Sequence, residues 1–561
     1  MTMTATQQDF DKMLRALPGV GLTLSNRIIR TFDVKDAEQA YKLIAANPYK
    51  LLEVVGIGFK KADEVAIGVF GFNPEDERRH REGNRYVLAQ EGSMPDWKYS
   101  KARTEAGLFS DEHKYAGVII DKGRVWLERE LNAERVLAET LKTIQALPNP
   151  EDVSAEPVDG LNAEQAHFVR LAMHPNVRCI ALTGAAGTGK TWSLAALAKE
   201  ANKLNHHMCV MAFSGKAANR ASEALRDNDV DTVETGTIHR MLGISPTGKG
   251  AAGYLTHDYV VVDEASMLPN WLIGMIMGSL KDSATLVLVG DPAQLPPIGY
   301  GTPFRDFLTA GVPHVNLTQN YRQANQQAIY EVCTAIRERV SSEPSSQAAA
   351  RLVSSEDDNA STHAVKTCLE DLHLLEWQVL AWKNDEVEHL NLQMQRMANP
   401  RGEAWFSYPG WSLPRINGNR PQEIDVRVGD KLMITRNDYK FEIFNGETYI
   451  FTGVERHAIG NGKPVPCVRL ESPYQVRFVP RDEASDYLKL GYAVTTHKAQ
   501  GSGWHTVIVF QPSDVRFNAH SWWYTSVSRA SEQLYVFAGR GWWQNAISKE
   551  RAVKSTLLAR L

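Results

Sequence analysis

The spacing of apolar positions divides the chain into stretches of different texture. Residues 1–90 place apolar side chains at helical intervals and predict a string of short helices. Two stretches there are alike: Leu17-Pro-Gly-Val-Gly21 ahead of residues 25–31, and Val55-Gly-Ile-Gly-Phe59 ahead of residues 60–69. Each is an apolar–Gly–apolar–Gly turn opening a helix. Such a turn can aim backbone N–H groups at a nucleic-acid phosphate, with Lys60 and Lys61 close by. A tight turn between packed helices, or a protein-docking surface, is the plainer alternative. Arg78-Arg-His-Arg81 is a short basic run of the kind that most often lies on a solvated helix face. Residues 91–146 predict a further small, largely helical region without evident chemistry. Residues 147–160, rich in proline and acidic side chains, predict a linker.

From residue 161 the pattern changes. Short, mostly apolar runs at 179–183, 208–213, 259–262, 284–289 and 314–317 predict strands, with helices at 191–205 and 216–225 between them. That alternation predicts a doubly wound parallel sheet whose ligand lies beyond the carboxyl ends of the strands. A second α/β pattern follows, with strands at 378–381 and 506–510. Between these lies another texture. Residues 391–485 are rich in Gly and Pro and carry short alternating runs at 431–435 and 465–470, which predict a small β-barrel inserted into the second α/β domain. Residues 341–361, rich in Ser and Ala, predict a mobile surface segment.

Composition changes this picture little. A chain of 561 residues has room for roughly three to five domains. Its 43% hydrophobic and 23% charged residues are ordinary for a soluble globular protein. A net charge of −4 neither supports nor excludes nucleic-acid binding, because a groove needs only local positive charge. The five cysteines are scattered, with no Cys-x-x-Cys pair, and predict buried thiols in a reducing compartment. No apolar run approaches the ~18 residues of a membrane span, and the start of the chain lacks a signal-peptide core, so a cytoplasmic protein without membrane contact is expected.

The chemistry gathers around Gly184, Ala185, Ala186, Gly187, Thr188, Gly189, Lys190 and Thr191. Strand, glycine-rich loop and helix follow one another, which is the context a phosphate-binding loop needs. The glycines let N–H groups close around phosphate oxygens, Lys190 is expected to reach the β- and γ-phosphates, and the Thr191 hydroxyl to ligate Mg²⁺. Tyr259-Val-Val-Val-Asp-Glu264 ends a β-branched run in two carboxylates. Asp263 is expected to hold Mg²⁺ and Glu264 to polarise the attacking water. In Leu288-Val-Gly-Asp-Pro-Ala-Gln294 a strand-end turn aims Gln294 back at the same place, where a neutral amide can sense the γ-phosphate. Arg322 and Arg529 offer guanidinium groups to neutralise the transferring phosphoryl group.

The order of these segments resembles superfamily 1 helicases: Gln165, the phosphate loop, Asp263-Glu264, Gly290-Asp-Pro-Ala-Gln294, Tyr321-Arg322 and Val527-Ser-Arg-Ala530. Phe213-Ser-Gly-Lys-Ala-Ala218, Thr237-Ile-His-Arg240 and Ala493-Val-Thr-Thr-His-Lys-Ala-Gln-Gly-Ser502 resemble the RecD-like 5′→3′ branch, and the two glycine turns resemble tandem helix-hairpin-helix motifs. The resemblance implies an α/β fold with two RecA-like P-loop NTPase domains sandwiching ATP. Gln165 then reads adenine, the first domain supplies Lys190, Thr191, Asp263, Glu264 and Gln294, and the second supplies Arg322 and Arg529. Single-stranded DNA is implied across both domains, touched by Phe213, Ser214, Lys216, Thr237 and His239 from the first and Thr496, His497 and Lys498 from the second. The implied layout is a helix-hairpin-helix module at 1–90, a small region and linker at 91–150, motor domain one at 151–315, motor domain two at 316–390 and 486–561, and an SH3-like insertion at 391–485.

Two departures stand out. Residues 244–257, where relatives carry a duplex-splitting pin, are short and Gly-rich, and Ser528 stands where Thr is usual. No nuclease constellation follows the motor, so a helicase standing alone is expected. The expectation is an ATP-dependent 5′→3′ DNA helicase in repair, recombination or replication. Its cofactors are ATP and Mg²⁺. Its partners are single-stranded DNA, duplex junctions and other replication or repair proteins, and it acts as a monomer. The rivals are a translocase that remodels protein–DNA complexes but unwinds weakly, an RNA-directed motor, and a binding module switched by ATP.

Overall fold

Helical spacing of small and apolar side chains builds the core of the N-terminal unit. Helices Ala5–Ala16, Leu22–Thr31, Ala37–Ala46 and Phe59–Gly68 share a cluster that includes Leu14, Ile28, Ala40, Ile44, Ala62 and Val65, none with exposed surface. The computed structural model describes residues 5–561 except 19, 21, 55, 90, 148–157, 159, 245–252, 321–326, 345–349, 355–357, 411–421, 439, 461, 474, 512–519, 540 and 549–555. The chain divides into two units, Met1–Arg135 and Val136–Leu561. In the first, Gly58 caps helix Phe59–Gly68 without a side-chain bond, and Gly56 ahead of it holds φ 97°, a left-handed value that suits only glycine. The matching turn ahead of Leu22–Thr31 contains Gly19 and Gly21, which lie outside the described residues.

The region after residue 90 keeps the helices its sequence predicts, Asp96–Glu105 and Glu128–Gln145, and adds strands that it does not predict. Besides helix Asp96–Glu105 it holds an antiparallel sheet of β1 (Ser93–Pro95), β2 (Ile119–Asp121) and β3 (Arg124–Trp126) in the order β1-β3-β2. Strands of three residues are too short to write an alternation into the sequence.

The second unit holds two parallel sheets. The first contains β4 (Cys179–Gly184), β5 (Met208–Ala212), β6 (Glu234–Thr237), β7 (Tyr259–Asp263), β8 (Thr285–Gly290) and β9 (His314–Leu317), ordered β6-β5-β7-β8-β4-β9. Alternation along the strands sends side chains to two covered faces. Ile180, Leu182, Val261, Val287 and Val289 pack with Phe168, Leu194 and Leu197 of helices Ala163–Ala172 and Lys190–Lys203. Cys179, Ala181, Val260, Val262, Leu286 and Leu288 pack with Leu272, Ile273 and Phe307 of helices Asn270–Ser279 and Pro303–Thr309. Burial on both faces is why these strands are continuously apolar.

The remaining strands are β10 (Ala350–Ser354), β11 (Trp377–Ala381), β12 (Ala404–Gly410), β13 (Gln422–Arg427), β14 (Lys431–Ile434), β15 (Thr448–His457), β16 (Val465–Glu471), β17 (Val476–Pro480), β18 (Leu488–Leu490), β19 (Ala493–Thr495), β20 (Trp504–Phe510) and β21 (Ala530–Ala538). The second parallel sheet runs β10-β21-β20-β11-β19. Strand β10 corrects the expectation of a mobile segment over 341–361, because five of those residues pair with Leu534–Ala538 at the edge of the sheet. One face of this sheet packs helices Gln327–Arg337, His520–Val527 and Trp542–Ser548.

The other face packs an antiparallel module, and the two share one core. The module holds the five-stranded sheet β17-β16-β15-β14-β18 and the ribbon β12-β13. Val379, Ile508 and Phe537 of the parallel sheet cluster with Leu432, Tyr449, Phe451 and Leu490 of the module. Lys431 has no exposed surface, and its Nζ donates to the Trp377 carbonyl at 2.6 Å while lying 5.5 Å from that indole ring. Burial pushes its ammonium well below the usual lysine range. The neighbouring carboxylate of Asp430 accepts from Gln395 Nε2 (2.6 Å), Asn399 Nδ2 (2.9 Å), the Arg427 N–H (2.8 Å) and Tyr492 O–H (3.0 Å). The module also reaches the first lobe: a Cβ on Gly215 would fall 2.5 Å from Cδ1 of Phe444, so only glycine admits that ring.

Candidate functional site

The loop after β4 turns on itself because two glycines adopt left-handed angles, Gly187 at φ 86° and Gly189 at φ 85°. Thr188 Oγ1 donates to the Ala185 carbonyl at 2.9 Å and closes the loop from within. Lys190 begins the helix and folds back, with Nζ donating to the carbonyls of Gly184 (2.8 Å) and Ala185 (3.0 Å). Burial pushes the Lys190 ammonium down, opposed first by Asp291 and then by Glu264 and Asp263. Thr191, partly buried, follows on the first helical turn.

The sheet register explains how the carboxylates arrive. Thr183 of β4 pairs with Gly290 of β8, and Val262 of β7 pairs with Leu288 of β8, so the three strands end together. Asp263 ends β7, and Glu264 turns the chain at φ 53°, its N–H donating to Asp263 Oδ1 at 2.8 Å. Burial, with Glu264 beside it, holds the Asp263 carboxyl above the ordinary carboxylate range. Two adjoining carboxylates, with the Thr191 hydroxyl from the neighbouring loop, are a hard-oxygen donor set of the kind Mg²⁺ takes alongside phosphate oxygens. Among the described residues no group of three or more His, Cys, Asp or Glu side chains forms a separate metal cluster.

After β8 the backbone turns through Asp291, whose Oδ1 accepts the Ala293 N–H at 3.1 Å, while the Gln294 N–H donates to the Asp291 carbonyl at 3.1 Å. Gln294 is 5% exposed, and its Oε1 makes no hydrogen bond among the described residues, a buried acceptor left for a ligand or water at the strand ends. Gln165 is also buried. Its Oε1 accepts from the Asn162 N–H (3.2 Å) while its own N–H donates to Asn162 Oδ1 (2.8 Å), a reciprocal cap on helix Ala163–Ala172.

The second lobe closes over this edge through helix His520–Val527. Tyr524 O–H donates to Asp291 Oδ2 at 2.6 Å, and the Leu295 N–H donates to Thr525 Oγ1 at 2.9 Å. Arg220 Nη1 of the first lobe donates to the Gly501 carbonyl at 2.6 Å. Arg529 is 6% exposed, with Nε donating to the Thr525 carbonyl (3.0 Å), Nη1 to the Ser502 carbonyl (3.2 Å) and Nη2 to Ser528 Oγ (3.1 Å). Burial lowers the Arg529 pKa, and the first charge opposing that is Glu264, so the guanidinium and the carboxylate sit within electrostatic reach across the seam. Arg337 adds a cation, its Nη2 lying 3.7 Å from Asp291 Oδ1. It lines a narrow cleft with Ala185 and Ala186 of the loop and with Tyr524 and Ser528.

Sequence reasoning named Lys190, Thr191, Asp263, Glu264, Gln294 and Arg529, and the structure gathers their strand ends and loops along this seam. Arg322 lies outside the described residues. Asp291, Arg337 and Tyr524 were missed. Asp291 stood in the quoted Gly-Asp-Pro turn, and a carboxylate at a strand end beside a phosphate loop was the available signal. Nothing local marked the other two.

The residues expected to touch DNA form two groups. Phe213 and His239 of the first lobe meet edge to face at 6.2 Å, with Ser214 and Thr237 acting as helix N-caps. Lys216 Nζ lies 5.1 Å from the Trp504 ring of the second lobe. Thr496, buried, shares a 2.9 Å hydrogen bond with Ser526 Oγ and is withdrawn from a strand-contacting role by that burial. His497 is half-buried and Lys498 exposed.

Three family models match the chain: the HHH domain of the ATP-dependent RecD2 DNA helicase over residues 6–94, an AAA domain over 160–364, and a UvrD-like helicase C-terminal domain over 490–537. The ATP-dependent RecD2 DNA helicase of Deinococcus radiodurans is 29% identical across 100% of this chain and 79% of its own length. The RecBCD enzyme subunit RecD of Mycolicibacterium smegmatis is 27% identical over 78% of this chain and 81% of its own. A crystal structure of Pif1 helicase from Bacteroides with ADP-AlF3 and ssDNA aligns at a TM-score of 0.42 and 18% identity, over 69% of this chain and 94% of that one.

Proposed function

The chain is a RecD-like helicase of superfamily 1, and from that premise we propose that it hydrolyses ATP to translocate 5′→3′ along single-stranded DNA and unwind duplex ahead of it. One observation carries the reading. Lys190, Glu264 and Gln294 stand at the strand ends of one lobe, and buried Arg529 of the other is held to the Thr525 carbonyl on the helix whose Tyr524 and Thr525 bond Asp291 and the Leu295 N–H there. A site split between two lobes is made and unmade as they move, which is how hydrolysis becomes motion.

The chain's own groups divide the work. The loop N–H groups and Lys190 bind the phosphates, and Lys190 exchanges its loop carbonyls for them. Thr191 and Asp263 would hold Mg²⁺, which supplies neutralisation of phosphate charge when bound. Glu264 accepts the proton of the attacking water, Gln294 orients that water through its amide, and Arg529 and Arg322 neutralise the charge spread over the transferred group. Gln165 reads the adenine edge.

Around that engine we place a helix-hairpin-helix module at the N-terminus and read the antiparallel module of the second lobe as an SH3-like insertion, on the strength of its four-strand meander β14–β17 with β18 returning beside β14. Phosphate loop and Arg529 belong to one chain, so a monomer suffices for hydrolysis. The test is unwinding of matched duplexes carrying a 5′ or a 3′ single-stranded tail, with ATP and Mg²⁺. Unwinding from the 5′ tail alone is expected, and unwinding from the 3′ tail alone would overturn the polarity. Strand-stimulated hydrolysis without unwinding from either tail would favour a translocase that remodels protein–DNA complexes, the reading to which the short, Gly-rich 244–257 segment leans.

A further inference from the structure

The two lobes repeat one local arrangement at their sheet edges. In the first, β5 ends at Ala212, the next residue is Phe213, and Ser214 caps the following helix, Gly215–Arg226. In the second, β11 ends at Ala381, the next residue is Trp382, and Lys383 is the N-cap of the following helix, Asn384–Ala398. The neighbouring strand is the outermost of its sheet in both cases, β6 beside β5 and β19 beside β11. Each outer strand ends in a threonine that caps a short helix: Thr237 accepts from the Arg240 N–H at 3.3 Å, and Thr495 from the Lys498 N–H at 3.4 Å. Two residues past each cap stands a histidine, His239 or His497, and three past it a basic residue, Arg240 or Lys498, both exposed.

The side chains repeat as well. Phe213 meets His239 edge to face at 6.2 Å, and His239 meets Trp271 at 6.3 Å. Trp382 meets His497 edge to face at 5.5 Å, and also meets the fully buried Trp522 at 6.0 Å. Each lobe therefore holds an aromatic ring set edge to face against a histidine at the carboxyl end of a strand, with a cation alongside; a tryptophan backs the histidine in the first lobe and the ring itself in the second. Phe213 is 38% exposed and Trp382 is half-buried. An aromatic face takes any base by stacking, and an adjacent cation takes the phosphate, which is the chemistry that holds single strands without reading sequence.

We propose that Trp382 is a base-stacking station for single-stranded DNA on the second lobe, the counterpart of Phe213 on the first. The inference rests on the reading of the chain as a single-strand motor. Two equivalent stations, one on each lobe, let one lobe hold a base while the other releases and moves. Trp382 contributes a larger π-face than Phe213, so the second lobe holds the strand more firmly.

The test compares binding of an oligothymidylate with binding of the same backbone carrying abasic positions at its centre, for the full chain and for Trp382→Leu and Trp382→Phe. Stacking of one base is worth on the order of a tenfold change in affinity. The unaltered chain should prefer the natural strand by about that factor at each station, Trp382→Phe should keep most of the preference, and Trp382→Leu should lose about tenfold of it. A wild-type preference retained in Trp382→Leu overturns the proposal. Equal binding of both strands by the unaltered chain overturns it too, whereas failure to bind either strand overturns the single-strand reading beneath it. Photocrosslinking of the unaltered chain to a strand carrying 5-iodouracil decides the matter without a substitution: a crosslinked peptide containing Trp382 is expected, and crosslinks confined to other segments would refute the assignment.

Discussion

Lys190 finds its partners, the carbonyls of Gly184 and Ala185, six and five positions away, whereas Tyr524 finds Asp291 across 233. The phosphate loop is a local construction, fixed by left-handed glycines and an internal hydrogen bond, and it would take nearly the same shape in any sheet that offered it a strand and a helix. The seam is a long-range construction. Tyr524 to Asp291, Leu295 to Thr525 and Arg220 to Gly501 are bonds between lobes that exist only when the lobes meet. Binding chemistry is thus local, and the timing of hydrolysis is long-range.

Removing one part from each side should separate these contributions. Lys190→Ala is expected to have the largest effect, lowering ATP turnover by about 10³-fold or more while leaving single-strand binding nearly intact. Parallel ATPase and strand-affinity measurements check it, and retained turnover would mean the loop has been misread. Arg529→Ala should lower turnover by roughly 10³-fold with nucleotide affinity little changed, because its guanidinium comes from the opposite lobe. Loss of nucleotide affinity measured by calorimetry would instead give Arg529 a structural role.

Tyr524→Phe tests the seam with a single oxygen. A hydrogen bond to a charged acceptor contributes about 1.5–3 kcal/mol, so turnover should fall by roughly 10- to 150-fold, with a smaller change in KM. Unchanged kcat in this variant would show that the Asp291 bond does not govern closure. The smallest effect concerns pH. Burial, with Arg220 nearby, lowers the Lys216 ammonium to about 8, against the opposing pull of Glu447. A lysine with a depressed pKa keeps its charge below that value and loses it above, so strand affinity should fall modestly as pH rises through about 8. Lys216→Arg should flatten that profile. A decline of equal size in Lys216→Arg would assign it to another group.

The same contrast explains what the sequence disclosed. Strands β4, β7 and β8 were legible because burial on both faces forces continuous apolar runs, and the residues at their ends followed. Asp291 was passed over because a Gly-Asp-Pro turn has an ordinary structural reading. Arg337 and Tyr524 were invisible because their significance lies in what they meet across the seam. Strand β10 was mistaken for a mobile segment because an edge strand among Ser and Ala residues carries little apolar signal. Thr496 looked like a strand contact beside His497 and Lys498, yet it is buried against Ser526.

The core shared by the second parallel sheet and its antiparallel module has a mechanical consequence. Close-packed interiors resist shear, and here Lys431 is bonded to Trp377 while Asp430 collects partners from helix Asn384–Ala398, from the chain after it and from Tyr492. Any rotation of this lobe at the seam would therefore carry the module with it, one lever rather than two hinged parts.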